Sequence, residues 1–336
     1  MNPPAFTHRH RLTACLAGTP TDRVPVALWR HFPVDDQTPG GLAAAAAQFQ
    51  ETYDFDLVKV TPASSFCLKD WGAGDQWRGN PEGTRDYTIR PIRQPEDWLT
   101  LPVLDPRLGA LGAQLDCLEM LVKRFEPDTP VLQTIFSPLS QAKNLVGPDQ
   151  LIVHLRRWPD AVLAGLRTIT ATTLAFMEAL LPLQPSGIFY AVQHAQYGLL
   201  TTEEFEVFGR AFDLPILAQA RPLWLNMLHL HGEDVMFDSV TDYPVQVLNW
   251  HDRHTAPNLA QARERFSGVL CGGLRKDETM VLGDPQSVRA EALDAVRQTQ
   301  GTRFILGTGC VTPTVAPRAN LLAARQSVEA AAVGGL

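Results

Sequence analysis

The 336 residues suffice for two average domains or one large α/β barrel, and 45% hydrophobic with 19% charged residues describes a folded globular chain, not a disordered one. With 29 basic against 36 acidic residues the net charge is -7, and no block of Lys or Arg is present, which argues against a nucleic-acid partner held through its phosphates. No run reaches the ~20 apolar residues of a membrane span, the opening MNPPAFTHRHRLTACL lacks the apolar core of a secretory signal, and five scattered cysteines outline no disulfide framework; the expectation is a reduced, cytoplasmic protein.

A helix is predicted over residues 7–17, inside an N-terminal segment 1–20 that plugs or flanks the bottom of the fold. β-rich runs follow at 24–29 and 56–61, and the alanine run 43–47 between them reads as a tightly packed helix face. Residues 68–95 break the rhythm. Trp71, Gly72, Gly74, Trp77, Gly79, Pro81 and Gly83 precede an alternating stretch at 87–93, which reads as a β-hairpin inserted after the second strand and placed over the mouth of the fold. The Trp71/Trp77 pair would cover an apolar substrate or pack the hairpin itself.

A linker at 102–106 leads into a helix, and further β-rich runs stand at 131–136, 187–192, 222–229, 244–250, 268–271 and 303–307. Helical patterns lie between most of them, at 140–145 with 149–156, 160–181, 202–219, 258–266 and 285–300, and a last one at 318–333. Strands followed by helices argue for right-handed βαβ units. The runs VLQTIF and GIFYAV are apolar on successive residues, as strands covered on both faces are. Eight such strand runs predict an α/β fold, a single (β/α)₈ TIM barrel over residues 1–336 with the hairpin after strand two. No GxGxxG opens a helix after the first strand, which weakens a doubly wound alternative.

Barrel enzymes place their chemistry at the C-terminal ends of the strands. Polar groups gather there: Arg30 and His31, then Thr61 and Ser64, Ser137, Gln193 with His194, His229 and His231, the stretch Asn249-Trp250-His251-Asp252, Cys271, and Cys310. In His229-x-His231, residues i and i+2 of a strand point the same way, and Cys310 from the last strand end can meet them over the mouth. Two imidazoles and a thiolate make a zinc set with a fourth position open, Cys271, Glu233 and His251 being reserve ligands. The alternative is a pair of ordinary strand-end histidines bonded to carboxylates. Arg30 is predicted as an anion clamp, or else as a salt-bridge partner of Asp35, Asp36 or Asp252. The predicted substrate-binding set is Arg30, His31, Gln193, Asn249 and Trp250. His194 and Asp252 are the predicted catalytic pair, orienting the substrate or moving a proton.

RLTACLAGTPTDRVPVALWR resembles the N-terminal region of the uroporphyrinogen decarboxylase superfamily, in which a helix and a D-R-V/I-P-V turn lead into strand one. SPLSQAKNLVG is similar to the element after strand three. HLHGED, VLNWHD, VLCGGLRKDETMVLGDP and FILGTGCVTPTVAPRANLLA resemble the C-terminal half. The resemblance covers nearly the whole chain and implies a (β/α)₈ barrel, often dimeric. It implies two chemistries: porphyrinogen decarboxylation, and zinc-dependent transfer of a methyl group from a corrinoid protein to a thiol.

The decarboxylase pattern departs residue by residue. Its R-Q-A-G-R stretch has become RHFPV, so Arg30 stays and Val34 replaces the second arginine. Its aspartate after strand two falls in TPASS, its tyrosine after strand three falls at Lys143 or Asn144, and its last histidine becomes Thr308. Those losses remove most of the means to hold a multiply anionic tetrapyrrole. The methyltransferase pattern, H-x-C after strand five and G-C-x-x-P after strand eight, is met by His229 and by Cys310 in GCVTP, with His231 at the first cysteine's place. A neutral imidazole for a thiolate makes the site less negative and a bound thiolate less nucleophilic. The leading expectation is a zinc-dependent methyltransferase acting on a small molecule, with a corrinoid protein as partner. The alternatives are a decarboxylase, and a non-catalytic barrel that binds a ligand or a corrinoid protein.

Overall fold

The chain is described over residues 6–333 by a computed structural model. Among the described residues nine strands form: β1 (Val58–Val60), β2 (Gly74–Gln76), β3 (Asp86–Ile89), β4 (Val131–Phe136), β5 (Gly187–Val192), β6 (Met227–Leu230), β7 (Val247–Trp250), β8 (Val269–Leu274) and β9 (Phe304–Thr308). Seven make one curled parallel sheet in the order β1-β4-β5-β6-β7-β8-β9. Chain order equals spatial order because successive strands are joined by crossovers, most of them helical and that between β6 and β7 carrying only the 3₁₀ turn Phe237–Val240. β4 and β5 are buried at every position, as their unbroken apolar runs require.

The run at 24–29, expected as a full strand, makes only one parallel bridge, Val26 to Leu306 on β9. Ala27 N donates to Leu306 O (2.9 Å), Leu306 N to Pro25 O (2.8 Å), and on the other side Asp56 N donates to Val26 O (2.8 Å). Pro25 has no N–H to extend the ladder. The 202–219 helix also differs from expectation, containing a π-helical turn at Glu206–Arg210 and Pro215 within Ala211–Gln219. Proline there removes the amide that would bond the Ala211 carbonyl.

The alanine run lies in the helix Pro39–Tyr53, capped by the Thr38 side chain on Gly41 N, with Ala43, Ala46 and Ala47 buried. At the N-terminal end of the sheet Asp56 is fully buried and collects Arg11 Nη1 (2.6 Å), Arg23 Nη1 (2.6 Å), Val26 N (2.7 Å) and His8 Nδ1 (2.9 Å). The predicted helix over 7–17 thereby fastens the first chain segment to the bottom of β1.

β2 and β3 form the expected antiparallel hairpin. Its tip is tied across the C-terminal end: Arg85 bonds Pro33 O and Asp36, Lys276 pairs with Glu82, and Thr314 N donates to Pro81 O (2.7 Å). Gly83 sits at φ +78, where a Cβ would fall 2.6 Å from that of His31; only glycine lets the strap lie this close. Trp71 Nε1 donates to Pro102 O (2.8 Å), so this indole packs the base of the insertion. No helix among the described residues is long and apolar enough to cross a membrane.

Candidate metal centre and cavity

The ligand atoms of His229, His231, His251 and Cys310 all lie within 4.8 Å of one another. His229 is inward-facing on β6, His231 follows that strand, His251 follows β7, and Cys310 follows β9. The three residues expected to converge do so, joined by His251 from the reserve; Cys271 and Glu233 stand outside the cluster. Burial pushes His231 down to about 4, with Lys143 and Lys276 adding to it, and burial with His231 beside it pushes His251 down to about 3. Burial likewise drives His229 well below the usual imidazole range. Three neutral imidazoles are three lone-pair donors. Burial pushes the Cys310 thiol up to about 11, which a bound cation would reverse.

The residues fit a tetrahedral zinc on two observations. His251 Nε2 is buried with no hydrogen-bond partner, the state of a nitrogen reserved for a ligand. Cys310 Sγ lies 3.6 Å from His231 Nδ1, and a tetrahedron with ordinary Zn–N and Zn–S bonds has an N···S edge of about 3.6 Å.

Asn249 settles the His229 tautomer. Its Nδ2 donates to Cys271 O (2.9 Å) and Thr308 O (3.1 Å), so its Oδ1 faces His229 Nδ1 at 2.7 Å as an acceptor. His229 Nδ1 then carries the proton and Nε2 is left for a metal. Replacing Asn249 by leucine is expected to weaken zinc binding about 10- to 100-fold, read by competition against a chromogenic chelator; an unchanged affinity would remove Asn249 from this role.

Beside the cluster opens a cavity of about 580 Å³. His31, Gln193, His229, His231 and Cys310 line it, as do Glu82, Arg85 and Tyr87 from the hairpin, which covers the mouth as expected. Other expected site residues lie elsewhere. Arg30 does not reach the cavity; its guanidinium lies over the rings of Phe32 (5.3 Å) and Phe49 (5.1 Å), because helix Pro39–Tyr53 offers it an aromatic shelf outside the strands. Asn249 is occupied as above. Trp250 faces outward in the core, where Nε1 donates to Pro257 O (2.8 Å) and the ring meets Phe237 edge-on, since it is the alternate residue on β7.

Asp252 does not face the cavity either: both oxygens accept from Gly273 N (3.1 Å), and a Cβ on Gly272 would lie 2.4 Å from its Oδ1. It shapes the end of β8. His194 Nδ1 faces its neighbour's carbonyl, Gln193 O (3.0 Å), its Nε2 is buried without a hydrogen-bond partner, and the residue is not part of the cavity's lining.

Two lysines that line the cavity are absent from the set expected from sequence. Lys59 stands inward in the middle of β1 and is 7% exposed. Lys143, from the helix Pro138–Val146, donates to Gln193 Oε1 (2.7 Å). The signal for Lys59 is legible: a cation between two valines in a strand that otherwise reads as buried.

A family model for uroporphyrinogen decarboxylase (URO-D) matches residues 7–331. The chain is 20% identical over 338 residues to the methylcobamide:CoM methyltransferase MtaA of Methanosarcina barkeri, covering 95% of this chain and 96% of that protein. It is 21% identical over 337 residues to the methylcobamide:CoM methyltransferase MtbA of Methanosarcina mazei, covering 94% and 96%. A solved methyltransferase from Methanosarcina mazei superposes with a TM-score of 0.83 at 18% identity, over 96% of this chain and 98% of that one. The match of fold, strand-end chemistry and family model over nearly the full length shows that this chain belongs to the uroporphyrinogen decarboxylase (URO-D) family.

Proposed function

We propose that this protein is a zinc-dependent methyltransferase that moves a methyl group between a corrinoid and a thiol on a small acceptor. The observation that carries the reading is the convergence of His229, His231, His251 and Cys310 on one point at the edge of a covered cavity. The methylcobamide:CoM methyltransferases among its relatives support the reaction class and a corrinoid protein as partner. We also read the curled sheet as a (β/α)₈ barrel in which residues 24–29 are the eighth stave; their hydrogen bonds to β9 and to Asp56 support this.

His229, His231 and Cys310 would hold the zinc, and His251, a fourth donor without the thiol, would give up its place to the acceptor, since a tetrahedral site with four protein donors has no open position. Bound there, zinc lowers the pKa of a coordinated thiol and so supplies a nucleophile at neutral pH. Methylation of the acceptor forms its S–CH₃ bond, breaks the donor's Co–CH₃ bond and releases the thiol proton. Asn249 holds His229 in the ligating tautomer, and the hairpin, tied by Glu82–Lys276 and Thr314–Pro81, covers part of the cavity's mouth.

The test is zinc content of the purified protein together with loss of the methyl–cobalt absorbance of methylcobalamin on adding a thiol. One zinc per chain and thiol-dependent demethylation are expected. Stoichiometric zinc missing, with no demethylation across a panel of thiols, overturns the proposal. A second reading, decarboxylation of an acidic substrate without metal, draws on the cavity's cations. Partly decarboxylated pigments after incubation with uroporphyrinogen would establish it in place of the first. Tight binding of a corrinoid protein without turnover of either kind would leave the non-catalytic barrel.

A further inference from the structure

The cavity carries more positive charge than the chain around it explains. The net charge of the chain is -7, yet three cations that line this cavity, Lys59, Arg90 and Lys143, make no salt bridge to any carboxylate among the described residues. The other lining charges are already matched: Arg85 by Asp36 (2.7 Å) and Asp75 (3.7 Å), Glu82 by Lys276, and Asp86 by Arg78 (3.9 Å). A buried ammonium without a counter-charge is costly, and such groups persist where a ligand supplies the missing anion.

The three fall into two places. Lys59 is low on the wall, paired in register with Leu132 of β4. Its Nζ sits 4.3 Å over the Phe189 ring and 5.9 Å from that of Trp29, and its hydrogen bond goes to Thr61 Oγ1 (3.3 Å). Burial pushes this ammonium down to about 7, and burial pushes the adjoining His31 down to about 3 with Lys59 adding to it. His31 Nδ1 is buried and unpartnered. Lys143 and Arg90 form the second place at the rim, beyond the end of β4; Lys143 bonds Gln193, and Arg90 Nη1 donates to Asn144 O (2.5 Å). The metal cluster adjoins both: His229 stacks on Phe189 (5.5 Å), under the Lys59 ammonium, and Lys143 is close enough to lower His231.

We propose that the cavity's ligand is a small molecule with two acidic groups, one held by Lys59 with the Thr61 hydroxyl and one by Lys143 with Arg90. The inference rests on reading this cavity as the acceptor's place and names the class of that acceptor: a thiol flanked by two acids. Each acid meets an ammonium that its arrival pairs, and the contact at buried Lys59 is the stronger because burial reduces the screening there. A neutral thiol would leave both lysines unmatched and bind weakly.

The test uses ligands without sulfur, so it is independent of methyl transfer. Calorimetric titration of chelator-treated and zinc-loaded protein with the α,ω-dicarboxylates from malonate to pimelate is compared with their half-amides and with the corresponding sulfocarboxylates. At least one diacid should bind about 10- to 100-fold more tightly than its half-amide. Lys59→Met and Lys143→Met should each reduce that diacid to the affinity of the half-amide. Lys59→Met should also raise the melting temperature of the ligand-free protein, because it removes an unmatched buried charge, whereas a merely structural lysine would lower it. Diacids and half-amides binding alike across the series, or either variant keeping the diacid's advantage, overturns the proposal. Diacid binding without thiol methylation would instead count against the proposed reaction and leave this inference standing.

Discussion

Cys310→Ala is expected to lose its zinc and to slow thiol-dependent demethylation by about a thousand-fold or more, because it removes the cluster's sole anionic donor. His229→Ala should do the same, as that ring alone among the cluster's imidazoles is braced by Asn249. His251→Ala should retain zinc, held by the remaining three ligands, at an affinity lowered by about 10- to 100-fold. Elemental analysis after dialysis against a weak chelator reads all three variants, and methylcobalamin turnover reads the rate. Full activity of Cys310→Ala without zinc would sink the metal centre. The ordering also separates a zinc role from a packing role: a cavity left by a lost thiol lowers stability in rough proportion to its volume and would not strip a metal.

The second large effect lies at the other end of the sheet. Asp56→Asn should destabilise the protein by about 3–5 kcal/mol, since it leaves Arg23 buried without its carboxylate partner, while Arg11 keeps Asp22 (2.6 Å). Burial by itself would raise the Asp56 carboxyl; the hydrogen bond from His8 and the charges of Arg23 and Arg11 outweigh it and hold the group far below the usual carboxylate range. A carboxylate with a depressed native pKa contributes stability that is complete above its unfolded value, about 3.9, and is lost as the pH falls below it. The wild type should therefore lose stability on acidification below roughly pH 4, and the variant should lose less over the same interval. Urea unfolding of both proteins between neutral and acid pH measures this. A difference under about 1 kcal/mol at pH 7 would show that the arginines find other partners.

Much of the site is legible in the amino-acid order alone. The i, i+2 spacing of His229 and His231 places both rings on one face of a strand whatever the fold, and the strand-helix alternation brings Cys310 to the same end of the sheet. The convergence of His229, His231 and Cys310 therefore follows from local periodicity plus one rule about parallel sheets. The hairpin is legible for a similar reason: glycines and prolines interrupt the alternation between the second and third predicted strands, and chain that cannot join the ladder must cover an end of it. Arg30 departs from its expected place because sequence shows that a residue follows a strand, not which side of the wall its long side chain takes. Its guanidinium finds Phe32 and Phe49, both outside the cavity. Trp250 and Asn249 differ by one position, and the pleat alone sends one outward and the other inward.

What the sequence determined by itself is what depends on neighbours along the chain: the apolar runs of β4 and β5, the caps and alanine face of helix Pro39–Tyr53, and the shared direction of His229 and His231. Only the tertiary structure decided what depends on distances between remote segments. It joined His251 to the cluster, made Asn249 the brace of His229, gathered Arg11, Arg23 and His8 around Asp56, and left Lys59 and Lys143 lining a cavity whose carboxylates, Glu82 and Asp86, pair with other cations. Periodicity assigns a side chain to a face, but which charges meet there depends on how the strands pair and on the screening that burial removes.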